Sequence, residues 1–262
     1  MKRATRGRCL EKRNNILIDP RDLAAALGLL TRLPVPIETT RAVARGAAAA
    51  WAYPVVGIVV AVIISATVAV MLTLDLPAQI AAALGLGAGV VLTGAMHEDG
   101  LADTADGLWG GWDRARRLAI MKDSHIGTYG VIALALTLLI RWLALTALIA
   151  SGSHWAALIG AAALSRGGMV VLMGAMPNAR DTGLSHHVGR PSTATIWLAV
   201  AIAGVIGLVT TGFGVVLMAA LAVLLCGMIA KAKIGGQTGD ILGATQQMTE
   251  ITVLLAVVAA SA

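Results

Sequence analysis

Aromatic residues are scarce in this chain: Trp, Tyr and Phe make up 3% of its 262 residues. Wide aromatic belts, which flank many membrane spans, are therefore not expected. Cysteine is almost missing as well. Cys9 sits in a basic stretch and Cys226 in an apolar run, so neither a disulfide framework nor a thiolate metal site is expected. Charged residues reach only 13%, against 58% hydrophobic residues. With a mean hydropathy of +0.83, a soluble domain is excluded and a polytopic helical membrane protein is expected. The 14 acidic residues avoid the long apolar runs. Alanine and glycine are abundant, which suits close helix packing through small side chains.

Ten of the 20 Lys and Arg residues fall within residues 1–45, against a net charge of +6. Residues 1–20 read as a flexible basic arm, and residues 21–262 as a single membrane-embedded domain. Asp19, Arg21 and Asp22 interrupt any signal-peptide core. The stretch MKRATRGRCLEKRNN has no aromatics, so nucleic acid is not an expected partner. Attraction to anionic membrane lipid accounts for its charge.

Hydropathy predicts a short amphipathic segment at 22–33, ended by Pro34 and Pro36. Spans follow at 54–74 and 77–96, 128–150 and 155–176, and 194–212 and 214–230. Residues 251–262 are apolar but too short to cross alone. The expected fold is all-α: a polytopic integral membrane bundle of about six to seven helices, with cytoplasmic polar loops forming the site. Turns near 75, 152 and 213 carry no Lys or Arg, whereas 97–126, 177–193 and 231–250 carry many. The positive-inside rule puts the latter loops and the N-terminus in the cytoplasm of a cell-membrane protein.

The most informative stretch is MHEDGLADTADGLWGG, residues 96–111, beside the apolar run 77–96. Asp99, Asp103 and Asp106 follow i, i+4, i+7 spacing, which sets three carboxylates on one helix face. They repel one another unless a cation lies among them. Oxygen donors with no cysteine and one nearby histidine, His97, favour Mg²⁺ over zinc. The plain alternative is a solvated acidic turn between two helices.

A second polar stretch, IGGQTGDILGATQQMTE at 234–250, reads as a capped or re-entrant loop. Alternatively it is a second half-site, with Asp240 and Glu250 completing a metal or substrate shell and Thr238 adding a hydrogen-bonding group. Arg141 and Arg166 interrupt apolar spans that offer no acid. Either a loop carboxylate folds in to pair with them, or an anionic substrate does. Lys122, Asp123, Ser124 and His125 suit phosphate contacts or a helix cap. His186 and His187, in a polar loop with Arg180 and Arg190, read as solvated.

The segment HEDGLADTADGLWGG, followed by RRLAIMKDSHIGTYG, resembles the signature of the cobalamin synthase family, also called adenosylcobinamide-GDP ribazoletransferase. TRLPVP at 31–36, LSRGGM at 164–169 and GGQTGDILGATQQMTE at 235–250 fit the same pattern, so the likeness covers roughly residues 22–255. Where that family commonly has HLDG, this chain has Glu98. The resemblance implies a Mg²⁺-dependent transferase that joins adenosylcobinamide-GDP to α-ribazole or α-ribazole 5′-phosphate and releases GMP. It implies metal binding by Asp99, Asp103 and Asp106, with Asp240 and Glu250 completing the shell. It implies phosphate contacts from Lys122 and Arg166, further substrate contacts from Asp123, Thr238 and Asp240, and a proton acceptor among His97 and the aspartates.

Two other classes stay open: a CDP-alcohol phosphotransferase and a cation transporter. The first lacks here its later paired-aspartate motif, and the second would place acids rather than arginines mid-span. A homo-oligomer is left open.

Overall fold

The computed structural model describes residues 16–261. Most of the basic arm expected over residues 1–20, and Cys9 with it, lies outside the described residues. Within them the chain is helical, with one isolated parallel bridge between Asn178 and Gln237. The helices are α1 (Arg21–Leu30), α2 (Thr39–Arg45), α3 (Tyr53–Thr73), α4 (Ala78–Thr93), α5 (Met96–Gly110) and α6 (Arg114–Ile120). They continue with α7 (Thr128–Ala150), α8 (His154–Ala175), α9 (Leu184–Val188), α10 (Thr193–Thr211), α11 (Phe213–Ile234) and α12 (Gly239–Ser261). A 3₁₀ turn, Gly46–Ala52, joins α2 to α3.

Among the described residues, six helical stretches are long and apolar enough to cross a membrane: Thr39–Thr73, which includes α3, and α7, α8, α10, α11 and α12. A seventh crossing forms if α4 and α5, which meet at 88°, are counted together. The polytopic helical bundle expected from hydropathy is therefore present.

The bundle is organised around α8, 83% of whose apolar window is buried, against 28% for α7 and 22% for α10. Its small residues allow this. A Cβ placed on Gly57 of α3 would lie 2.3 Å from the Ala162 carbonyl oxygen, so the two backbones pack in direct contact. Burial of apolar surface cannot drive association within lipid, so such close approach has to supply the packing energy.

α1 lies at the rim. Its buried Asp22 accepts from Arg45 Nε at 2.8 Å and from Trp51 Nε1 at 2.9 Å, which ties the segment to the start of α3. The chain bends sharply between α4 and α5 through Gly94 and Ala95, at φ 64° and 57°. Glycine adopts that region freely, whereas Ala95 costs about 1 kcal/mol there. The amide of Arg32 donates to the Leu92 carbonyl at 2.7 Å and anchors the bend.

One boundary differs from the hydropathy reading. Residues 239–250 are not a loop before a short apolar tail. They form the first half of α12, a helix of 23 residues. Gln246 and Gln247 are buried against polar side chains of other helices, and the buried Thr245 donates its hydroxyl to the Ile241 carbonyl at 2.7 Å. A window of hydropathy has no knowledge of such partners and scores the segment as water-exposed.

Candidate active site

The two polar stretches meet at a crossing of α5 and α12. A Cβ on Gly100 would lie 2.9 Å from the Asp240 carbonyl oxygen and 3.3 Å from the Gly243 Cα. These glycines press the helices together backbone to backbone. Gly100→Ala is expected to force them apart and destabilise the protein by roughly 1–3 kcal/mol, an overpacking cost read as a lowered melting temperature in detergent.

The crossing gathers carboxylates. Asp99 is exposed and Asp103 half-buried, and neither has a hydrogen bond or ion pair with a described residue. Asp240, in the first turn of α12, pairs with Arg180 at 2.7 Å and accepts from the Thr238 hydroxyl at 3.1 Å. Asp103 feels the charges of Asp99, Asp240 and Asp106, with Arg180 opposing them.

Asp106 is buried and differently employed. Its oxygens accept from the amides of Gly127 at 2.7 Å and Gly130 at 2.9 Å. It thus caps α7 from a neighbouring helix, supplying partners to amides that the first turn leaves unmatched.

A cavity of about 220 Å³ opens beside the crossing. Its lining combines polar side chains, His97, Asp99, Asp240 and Arg180, with apolar ones, Leu29, Leu30, Tyr53, Met169 and Met173. A lining that mixes charged and apolar groups suits an amphipathic ligand with a charged head.

Behind this wall lies a buried ionic cluster. Arg141 on α7 bonds Glu98 on α5 at 3.2 Å and reaches Glu250 on α12 at 3.5 Å. Arg166 on α8 lies 3.8 Å from Glu250. Gln247 donates to Glu98 at 3.1 Å, and Gln246 donates to Ser165 at 3.3 Å. Two arginines and two glutamates therefore offset each other within the bundle.

This arrangement corrects the expectation that no span offers the arginines an acid. Glu250 belongs to a span once α12 is seen whole. Arg166 is 2% exposed and faces this cluster, not the cavity beside Asp99 and Asp240.

The remaining expected residues are placed as follows. Thr238 is buried just before α12. Lys122 and Asp123 stand exposed in the turn between α6 and α7. The ring and backbone of His125 hydrogen-bond the Asp123 carboxyl and hold it below the usual carboxylate range. His97 is 1% exposed, lines the cavity, and has no partner for Nε2 among the described residues. Arg180 was read only as part of a solvated loop. Its distance from the motifs in sequence hid its pairing with Asp240.

Among the described residues, no three His, Cys, Asp or Glu side chains converge closely enough to hold an ion. The oxygens of Asp106 and Glu250 are occupied by backbone amides and by arginines and Gln246 respectively. Asp99, Asp103 and Asp240 remain as hard oxygen donors. That set suits Mg²⁺, which keeps several waters and takes one or two carboxylates plus substrate phosphates, without a closed protein cage.

Residues 22–258 match the model of the cobalamin-5-phosphate synthase family. The chain belongs to this family. Several relatives carry the name adenosylcobinamide-GDP ribazoletransferase. The protein from Mesorhizobium japonicum is 45% identical over 92% of this chain and 95% of its own length. That from Bradyrhizobium diazoefficiens is 42% identical over 89% and 92%, and that from Brucella ovis 39% identical over 91% and 96%. No solved structure matches significantly. As a cobalamin-5-phosphate synthase family member, the chain is a transferase of cobalamin biosynthesis, and its motifs are those that meet at the α5–α12 crossing.

Proposed function

We propose that the chain joins adenosylcobinamide-GDP to α-ribazole, or to its 5′-phosphate, and releases GMP, with Mg²⁺ as cofactor. The observation that carries this reading is the α5–α12 crossing, where Asp99, Asp103, Asp240 and Arg180 gather beside a cavity whose lining is partly apolar. In the reaction a ribose hydroxyl oxygen forms a bond to the phosphorus nearest the corrinoid arm. The P–O bond to the GMP phosphate breaks, and GMP leaves with that electron pair.

Such phosphoryl transfer asks the protein for positioning and charge neutralisation more than for covalent help. One or two carboxylates among Asp99, Asp103 and Asp240 would hold the metal, whose charge, when bound, neutralises phosphate oxygens. The planar guanidinium of Arg180 would grip a phosphate in two-pronged fashion. His97 Nε2 or an aspartate oxygen would take the hydroxyl proton, since both types of group border the cavity. Protein purified in detergent and supplied with both substrates and Mg²⁺ should release GMP. Failure to release it with either form of α-ribazole would reject the reading.

We further propose that the site faces the cytoplasm, because the basic loops share its side of the bundle. Single cysteines at Ser124 and Lys231, in a background lacking Cys9 and Cys226, should resist an impermeant thiol reagent in intact cells. Cysteine at Ser151 should react. All three positions are exposed. Labelling of the first two from outside would overturn the orientation.

A further inference from the structure

Tyr53 takes no part in the chemistry above, yet its position is unusual. It opens α3 and is 3% exposed. Its hydroxyl bonds to no described residue, although a buried phenol ordinarily finds a partner. The side chain lines the cavity that Asp99, Asp240 and Arg180 also line. Met169 and Met173 of α8 flank the same space. Methionine supplies an adaptable apolar surface and favourable sulfur contacts to aromatic rings.

The geometry points to Tyr53, Met169 and Met173 as the subsite for the heterocyclic base of the ribose acceptor. The inference rests on the proposed transferase reading and goes beyond it by assigning the residues that receive the acceptor's base. The ring must be planar and uncharged, with little hydrogen-bonding edge, because the wall beside Tyr53 is aliphatic and thioether. A guanine edge, rich in donors and acceptors, would leave several polar atoms unmatched there. A benzimidazole riboside has a single free ring nitrogen, an acceptor, and the Tyr53 hydroxyl is the one donor on this wall suited to it. The phosphates then fall beside Asp99, Asp240 and Arg180, which line the same cavity.

The test combines a variant with an altered substrate. Tyr53→Phe keeps the ring and removes the donor, and its melting temperature in detergent verifies folding. The KM for α-ribazole should rise about five- to tenfold, the size of a lost neutral hydrogen bond, while the KM for adenosylcobinamide-GDP moves less than twofold. An α-ribazole analogue with CH in place of the free ring nitrogen should bind the wild type more weakly by the same factor. Tyr53→Phe should bind the analogue and α-ribazole equally well. A variant that still discriminates between the two ring forms, or that loses affinity for the corrinoid substrate instead, would overturn the assignment. If the wild type releases no GMP at all, the transferase reading fails first, and that outcome is distinct from either.

Discussion

Asp103→Asn is expected to lower GMP release by at least about 10²-fold, a loss typical of removing one preorganised electrostatic contact to a developing charge. The substitution preserves shape and removes the charge that Asp99, Asp106 and Asp240 otherwise crowd. Chelation of divalent metal with EDTA should abolish activity in the unaltered protein, and Mg²⁺ or Mn²⁺ should restore it. Asp106→Asn should behave differently. It weakens the cap that Asp106 places on the amides of Gly127 and Gly130, so its effect should be read first in stability. Turnover by Asp103→Asn at the wild-type rate in the presence of EDTA would remove the metal from the mechanism.

The second large effect concerns the buried ionic cluster. Arg166→Ala should destabilise the protein by about 3–5 kcal/mol, because Glu250 then loses one of its two arginine neighbours inside the bundle. Removing both charges should be milder. In the pair Arg166→Met with Glu250→Met, Arg141 keeps Glu98, and much of the lost stability should return. Thermal melting in detergent checks both variants. Binding of adenosylcobinamide-GDP to the folded fraction of Arg166→Ala decides between a structural arginine and a phosphate ligand. Near-normal affinity with a large fall in melting temperature is expected. Lost affinity at unchanged stability would return Arg166 to the substrate.

The bundle was legible because the long helices apart from α12 are built mostly of apolar residues, with Arg141 and Arg166 as lone interruptions of α7 and α8, and lipid leaves a chain few alternatives to a helix. Asp99, Asp103 and Asp106 were legible as one helix face from their spacing alone. Spacing could not separate their tasks. Asp106 turns out to serve backbone amides some twenty residues later, and only the fold brings Gly127 and Gly130 to it. α12 was cut short for a related reason: Gln246, Gln247 and Glu250 resemble loop residues until Ser165, Glu98 and the arginines are set around them. Arg180 and Tyr53 carried no local signal. One was an arginine among loop histidines and the other a lone tyrosine beside a proline, and each acquired meaning from what stands across the cavity.

The order in which the ribosome delivers these helices bears on the ionic cluster. Glu98 emerges ahead of Arg141, so the first arginine can enter the membrane with its carboxylate already available. Arg166 follows and shares the field of Glu98 until Glu250 arrives on α12, the last described helix. During synthesis the nascent protein thus passes through an interval with two buried cations and one buried anion. A chain interrupted before α12 would be held in that state, with an uncompensated charge in the bilayer for membrane quality-control proteases to recognise. Insertion of α12 and neutralisation of the bundle's interior are in this way the same event.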